Sequence, residues 1–259
     1  MTEASRSIVI ICEGPADQRT ACVLADRVLS DSVEWMVPEM LDSFRQWRGL
    51  RRSEPFLAWK HVHTRAREAG IRTNGFFEGE PGDQDAFAAR RALALLTVEG
   101  ERGIDAVLLI RDSDGHAEER RRGLEQGRHG RDGLGPILIG VAHTKRECWV
   151  LAGFTPLDQV ERDRVEKLRE ELGFDPCAHA EELTAEHPGA KRDAKRVLSF
   201  LTGEDVSREA AWIREAMCMK ESSLAQLEER GRATGLAEFL QEIRERLVPL
   251  WTGHTPGGR

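Results

Sequence analysis

The chain has 259 residues, of which 40% are hydrophobic and 32% charged, a composition typical of a globular protein rather than a disordered one. Its formal net charge of −7 argues against a protein that coats nucleic acid by bulk electrostatics, but it leaves room for an enzyme with local basic patches. No apolar run approaches the roughly 20 residues of a membrane span, and the run at residues 8–12 is too short for a signal-peptide core. We therefore expect a cytoplasmic protein without a membrane partner.

Cysteine usage points away from disulfides and zinc. The five cysteines are odd in number and scattered, and no two of them form a C-x₂-C pair. Such spacing predicts neither a disulfide framework nor a zinc site. We expect most of them to be buried as small hydrophobic side chains; they are Cys12, Cys22, Cys148, Cys177 and Cys218.

Continuous apolar runs predict three buried strands, at residues 8–12, 106–110 and 136–142. Runs that are apolar at every position, rather than at every second one, are typical of parallel strands covered on both faces. A weaker fourth strand is predicted at residues 33–37, which Pro38 bounds.

Helical patterns lie between these runs, at residues 15–29 and 83–97. Strands that alternate with helices predict an α/β fold with a mostly parallel sheet flanked by helices. Residues 39–82 are rich in Trp, Arg and Gly, and we interpret them as an irregular insertion.

The texture changes after Phe154, where strand-like runs give way to helical patterns. The predicted helices cover residues 157–172, 192–201, 208–217 and 236–250. The expected organisation is an α/β domain at 1–154, a helical C-terminal region at 155–251 and a flexible tail at 252–259.

Acidic residues follow two of the predicted strands. Glu13 ends the first apolar run, and Asp112 and Asp114 end the second, where Gly115 allows a sharp turn. Ligands of open α/β sheets bind beyond the carboxyl ends of the strands, so these carboxylates converge if the two strands are parallel neighbours. A hard divalent cation such as Mg²⁺ would relieve their mutual repulsion. Turn preference alone also explains acid-Gly pairs, and that alternative stays open.

This pattern resembles the Toprim domain of topoisomerases, primases, small ribonucleases and the overcoming-lysogenization-defect nucleases. The resemblance covers roughly the first 150 residues, the ordinary size of one domain. It implies that Glu13 is a metal ligand or a general acid or base, and that Asp112 and Asp114 hold the metal.

A more specific resemblance lies at Glu147-Cys148-Trp149-Val150-Leu151-Ala152, which looks like the acid-x-Trp-Leu-Leu-Ala segment of Toprim-like bacterial proteins related to those nucleases. Many of those proteins occur in phage-defence loci. The resemblance implies that Asp17 and Glu147 also bind metal, and that Lys191 or Lys195 stabilises the scissile phosphate. Two metal ions need more carboxylate ligands than Glu13, Asp112 and Asp114 alone provide. Asp17 and Glu147 would supply the additional ligands.

Each of these additional residues also has an ordinary structural interpretation. An acid at position 17 favours the helix dipole one turn into a helix, and Glu147 would suit a helix start. Lys191 and Lys195, four residues apart on one predicted helix face, are equally typical of a solvated surface.

Three features depart from the family pattern. Gly153 stands where such relatives often have an acid, Asp17 is shorter than Glu, and residues 39–82 lengthen the interval between motifs. The sequence has no Walker A pattern, so any dependence on ATP would need a partner protein.

Basic residues near these motifs are candidates for nucleic-acid binding. Arg48, Arg51 and Arg52 follow Trp47, and Arg111 and Arg146 adjoin the acidic residues. Arginine runs are also typical of solvated helix faces. His61 and His63 would face the same side of a strand, but without a third ligand a surface pair is favoured over a metal site.

The sequence thus predicts a nuclease that depends on Mg²⁺ or Mn²⁺, acts on nucleic acid with DNA favoured over RNA, and serves in defence against phages or plasmids. The first alternative is a non-catalytic or partner-activated Toprim-like subunit that docks on an ATPase. The second is a small-molecule phosphohydrolase that uses the same acidic corner. Self-association into a homo-oligomer stays open.

Overall fold

A computed structural model of the chain describes residues 5–73, 75–77, 79–129, 133–203 and 206–253. The predicted flexible tail at 252–259 falls mostly on residues 254–259, which lie outside the described residues.

Within these described ranges, the strands form one five-stranded sheet and a short antiparallel pair. The sheet contains β1 (Arg6–Cys12), β2 (Arg45–Arg48), β3 (Leu57–Ala58), β6 (Ala106–Asp112) and β7 (Ile137–Ala142), and the antiparallel pair is β4 (Phe76–Phe77) with β5 (Glu80–Pro81).

Helices make up most of the remaining described chain. They are α1 (Pro15–Ser32), α2 (Leu41–Phe44), α3 (Trp59–Glu68), α4 (Gln84–Glu99), α5 (Ala117–Arg128), α6 (Arg146–Ala152), α7 (Gln159–Leu172), α8 (Ala194–Thr202), α9 (Arg208–Glu221), α10 (Leu224–Arg230), α11 (Leu236–Glu242) and α12 (Pro249–Thr252). Short 3₁₀ turns lie at Pro38–Met40 and Ala180–Glu182, and a π-helical segment spans Ile243–Leu247.

The predicted α/β fold with a mostly parallel sheet is confirmed. The strand order is β2-β1-β6-β7, and β1 pairs in parallel with β2, β3 and β6. In the pairing of β1 with β6, Ile8 lies opposite Ala106 and Ile11 opposite Leu109. Every side chain from Ile8 to Cys12 is fully buried, which is the environment that an uninterrupted apolar run predicts.

The interpretation of residues 39–82 as an irregular insertion is wrong. Two strands of this segment, β2 and β3, pair one after the other along the same side of β1 and so belong to the central sheet. The segment also contains the ten-residue helix α3. The strand predicted at residues 33–37 is wrong too, because that stretch forms turns after α1 and the edge position is taken by β2.

The chain divides into two compact units. The first contains residues 1–111, 118–141 and 241–259, and with them most of the sheet together with α1, α3 and α4. The second contains residues 112–117 and 142–240 and is helical, as predicted for the C-terminal region. In its core the rings of Trp149 and Phe239 are stacked with centroids 5.0 Å apart. The predicted domain boundary at residue 154 stays a prediction.

The five cysteines are all free and buried, as expected. Among the helices of the described chain, none is both long and apolar enough to cross a membrane.

Candidate functional site

Glu13 follows the last residue of β1, and its carboxylate lies near an arginine. Its Oε1 is 3.7 Å from Nη1 of Arg111, and its side chain keeps 41% of its exposure to solvent. The sheet register explains this pair. Ile11 lies opposite Leu109, and Glu13 and Arg111 each follow two residues later in the same direction. The exposed end of the glutamate is therefore held near a positive charge but remains accessible.

Arg111 also pairs with an acid that the sequence patterns did not single out. Its Nε lies 3.2 Å from Asp85, at the start of α4, and its guanidinium group lies over the ring of Trp59 at 5.3 Å. Arg120 pairs with the same aspartate at 3.1 Å. The only sequence signal for Asp85 is its place in the first turn of a helix, where an acid also favours the helix dipole. Arg111, predicted to bind nucleic acid, is thus engaged by carboxylates.

Asp17 lies in the first turn of α1, and the backbone there engages its carboxylate. Its Oδ2 accepts a hydrogen bond of 2.7 Å from the backbone N–H of Gly14, which is one half of a capping box, since Gly14 has no side chain to supply the other half. One oxygen of this carboxylate is therefore already used by the helix that carries it.

In the second unit, a loop that contains the other two predicted aspartates is tied to residues 142–146. Oδ1 of Asp112 accepts the backbone N–H of Arg146 at 2.7 Å, and the N–H of Asp114 donates to the carbonyl of Thr144 at 3.1 Å. Asp114 has a φ of 48°, a left-handed conformation that Asp tolerates better than most residues, and Gly115 follows with a φ of 89°. The sequence Asp-x-Asp-Gly therefore forms the sharp turn that was expected.

Glu147 is buried, and its two carboxylate oxygens have different surroundings. Its Oε1 lies 3.1 Å from Nη2 of Arg146, whose Nη1 lies 2.6 Å from Glu215. Within the described chain, Oε2 of Glu147 accepts no hydrogen bond. A buried acceptor left in this way costs free energy, and such atoms often mark a place where something else binds.

Arg146 is buried and paired with two acids, so its predicted role in nucleic-acid binding is wrong. Its side chain is only 8% exposed. Burial alone would lower the pKa of Arg146, but the carboxylates of Glu147 and Glu215 outweigh burial and raise it above its ordinary value. The guanidinium group is held between two acids and out of reach of a substrate.

The two candidate lysines do not share a helix face, because Lys191 lies in a turn before α8 and only Lys195 lies within it. Both are exposed, as in the structural alternative. The sequence patterns did not single out Lys145, which lies directly before α6 and whose Nζ is 3.4 Å from the buried carboxylate of Asp193.

Arg48 is fully buried, so the prediction that it binds nucleic acid is wrong. Its guanidinium group donates to Oγ of Ser7 and to the carbonyls of Gly49, Leu50 and Glu101 at 2.6–3.2 Å. The other two arginines of that cluster are exposed, and Arg52 lies 3.5 Å from Glu101.

The predicted metal ligands fit a divalent cation in chemistry but are not assembled around one. Carboxylate oxygens are the donors that Mg²⁺ prefers, and the unpartnered Oε2 of Glu147 is an acceptor in need of a donor or a cation. However, among the described residues no group of three or more His, Cys, Asp or Glu side chains is placed to hold a metal ion. Glu13 and Glu147 pair with Arg111 and Arg146, and Asp17 and Asp112 accept backbone N–H groups.

Comparisons of the chain with protein-family models, with curated proteins and with solved structures gave no match. What the structure defines is the class of fold, an α/β protein with a mostly parallel sheet and a helical C-terminal region.

Proposed function

We propose that this protein is a Mg²⁺-dependent nuclease that cleaves nucleic-acid phosphodiesters through a Toprim-type acidic site. The observation that carries the proposal is the parallel pairing of β1 with β6, because Glu13 directly follows one strand and Asp112 ends the other. The carboxyl ends of neighbouring parallel strands are where α/β proteins bind their ligands. A role in defence against phages or plasmids belongs to the same proposal and rests on the resemblance alone.

In this proposal Glu13, Asp112 and Asp114 would hold the metal, with Asp17 and Glu147 as further ligands. A bound ion would supply a nucleophilic water and stabilise the leaving oxygen. The protein's own contribution begins with Glu13, whose exposed carboxylate can accept a proton from that water. Arg111 lies beside Glu13 and places a positive charge 3.7 Å from the carboxylate that would act as the general base.

The first unit also offers space for a substrate beside Glu13. An open cleft of about 440 Å³ is lined by Glu13, by Gly14 and Pro15 at the start of α1, and by Lys60 and His61 on α3. A lysine and the N-terminal ends of helices are favourable neighbours for a phosphate group. Cleavage at Glu13 would therefore take place beside groups that attract the phosphodiester.

The test is cleavage of supercoiled plasmid, single-stranded DNA and single-stranded RNA in Mg²⁺, Mn²⁺ or EDTA. The Asp112→Asn/Asp114→Asn variant keeps side chains of the same size that can still accept hydrogen bonds, and Asp163→Asn/Glu170→Gln on the exposed face of α7 is a control with the same loss of charge. We expect metal-dependent cleavage by the wild type and by the control, and background cleavage by the strand-end variant. Equal cleavage by all three proteins would exclude the proposed site.

A second candidate function is favoured by the way the carboxylates are engaged. Glu13 pairs with Arg111 and Glu147 with Arg146, and the described residues form no three-ligand group. This arrangement suits a partner-activated or non-catalytic subunit that docks on an ATPase. Titration calorimetry with Mn²⁺ separates the two candidates. Heat of binding that disappears in the Asp112→Asn/Asp114→Asn variant supports the nuclease, whereas a folded wild type without measurable binding supports the subunit.

A further inference from the structure

The first unit has a basic cleft that lies outside the predicted basic cluster. Its volume is about 570 Å³, and it lies between α3, the residues that follow α3, and α4. We call it the α3–α4 cleft and define it by His63, Arg67, Arg72, Thr73 and Arg91, all of which line it. His63 and Arg67 are one helical turn apart on α3, so they present their side chains on one face.

Helical geometry also corrects the interpretation of the two histidines. His61 and His63 lie on α3 and not on a strand, so side chains two residues apart point in different directions. His61 lines the cleft beside Glu13, and His63 lines the α3–α4 cleft. The helix thus contributes basic side chains to two separate clefts.

The arginines of the α3–α4 cleft differ from Arg65 and Arg90, which are engaged by other side chains. Arg65 on α3 pairs with Glu54 at 3.0 Å, and Arg90 on α4 lies over the ring of Phe77 at 4.6 Å. In contrast, no carboxylate of the described chain lies within ion-pair distance of Arg67, Arg72 or Arg91. Three guanidinium groups that line one cleft without acids repel one another, and a bound anion would relieve that repulsion.

We infer that the α3–α4 cleft binds the phosphate backbone of a nucleic acid, an inference that rests on the proposed function and adds to it a place where the substrate is held. Guanidinium groups match phosphate oxygens with pairs of hydrogen bonds, and contacts of this kind position a nucleic acid without reading its sequence. A cleft of about 570 Å³ is larger than one phosphate needs, which favours consecutive nucleotides over a free phosphate ion. Such a local basic site also reconciles nucleic-acid binding with a net charge of −7.

The experiment is fluorescence-anisotropy binding of a labelled oligonucleotide in EDTA, so that binding is measured without cleavage. The cleft variant is Arg67→Ala/Arg72→Ala/Arg91→Ala. Its matched control is Arg102→Ala/Arg208→Ala/Arg232→Ala, which removes the same charge from exposed positions outside the cleft. Because Arg91 is half-buried, Arg67→Ala/Arg72→Ala serves as a second variant, and circular dichroism checks that each protein is folded.

Three backbone contacts to duplex DNA predict a loss of wild-type affinity of about 40-fold between 50 and 200 mM salt. We expect the cleft variant to bind at least about tenfold more weakly at low salt, with a salt slope smaller by about 1 for each arginine removed. The control should bind like the wild type. Unchanged binding by a folded cleft variant would overturn the inference, and so would equal competition by inorganic phosphate and by unlabelled oligonucleotide.

The outcome is independent of the proposed nuclease activity. Loss of binding in the cleft variant, together with no cleavage by the wild type, would support the cleft and contradict the nuclease. If the cleft variant still cleaved and still bound the oligonucleotide, the nuclease would be supported and the role of the cleft would be contradicted.

Discussion

The backbone N–H of Arg146 donates a hydrogen bond of 2.7 Å to Oδ1 of Asp112, so the aspartate that ends β6 also satisfies an N–H group in the first turn of α6. The first N–H groups of a helix have no partner within it, and a carboxylate is a strong acceptor for them. A residue selected from the sequence as a metal ligand therefore also holds local structure, and the two roles need separate measurements.

Replacing Asp112 separates these roles. Asp112→Ala removes the acceptor, and we expect a loss of about 1 kcal/mol in the free energy of unfolding, as for other lost helix caps. Asp112→Asn keeps an acceptor oxygen and should retain most of the stability while losing metal-dependent cleavage. Urea unfolding followed by circular dichroism measures the first effect. If the asparagine variant were as unstable as the alanine variant, the cap would not be the reason for the loss.

Arg48 and Arg51 are close in the sequence but should respond differently to truncation. Arg48→Ala leaves buried carbonyls and the hydroxyl of Ser7 without their donor, and we expect a loss of about 3 kcal/mol in the free energy of unfolding. Arg51 is exposed, so Arg51→Ala should change stability by no more than about 0.5 kcal/mol. Urea titration of both variants gives the comparison, and similar losses would contradict the burial of Arg48.

The buried carboxylate of Asp193 should make stability depend on acid pH. Burial alone would raise the pKa of Asp193, but the N–H groups of Gly189 and Lys195 and the ammonium group of Lys145 outweigh it and hold this pKa below its usual value. A lowered pKa in the folded state means that the stabilisation is fully present above about pH 4, near the unfolded value, and is lost as the pH falls through the folded value.

The matching variant is Asp193→Asn, whose side chain does not titrate. We expect it to be less stable than the wild type at pH 7 and to approach the wild type as the pH falls below about 4. Thermal unfolding between neutral and acid pH measures the convergence. A constant difference between the two proteins at every pH would show that Asp193 contributes through its shape and not through its charge.

The cysteines should be inert in the folded protein. Burial raises the pKa of the Cys148 thiol to about 11 and that of Cys218 to about 12, and it also raises the pKa values of Cys12, Cys22 and Cys177. Thiolate is the reactive form, so a disulfide reagent at pH 8 should give no reaction above background. In concentrated urea all five thiols should react. Ser53→Cys, at an exposed position, is the control and should add one fast-reacting thiol.

The strands and helices that depend on apolar pattern were predictable. The runs at residues 8–12, 106–110 and 136–142 are apolar at every position, and each coincides with a buried strand of the sheet, although β7 begins one residue later than predicted, at Ile137. The strand β2 was not predictable in this way, because the sequence Arg-Gln-Trp-Arg looks polar. Its pairing with β1 depends on backbone hydrogen bonds and on a buried arginine, and neither leaves an apolar pattern in the sequence.

The same limit applies to the candidate site. The order of residues placed Glu13, Asp112 and Asp114 at or just after strand ends, because an acid that follows an apolar run stands where the strand leaves the core. The sequence pattern does not predict which atoms those acids contact. Arg111 and Asp85, for example, are 26 positions apart in the chain, and their contact depends on the packing of α4.

The sequence by itself determined the α/β class, the buried strands and the acids at strand ends, because these follow from residue type and local periodicity. Only the tertiary structure decided which arginines are structural and which line an open cleft. Arg48 and Arg146 are enclosed by acceptors from distant parts of the chain, whereas Arg67, Arg72 and Arg91 meet no carboxylate in the described structure. The residue type gives the charge of a side chain. The partner of that charge depends on contacts between distant segments, which form only when the chain folds.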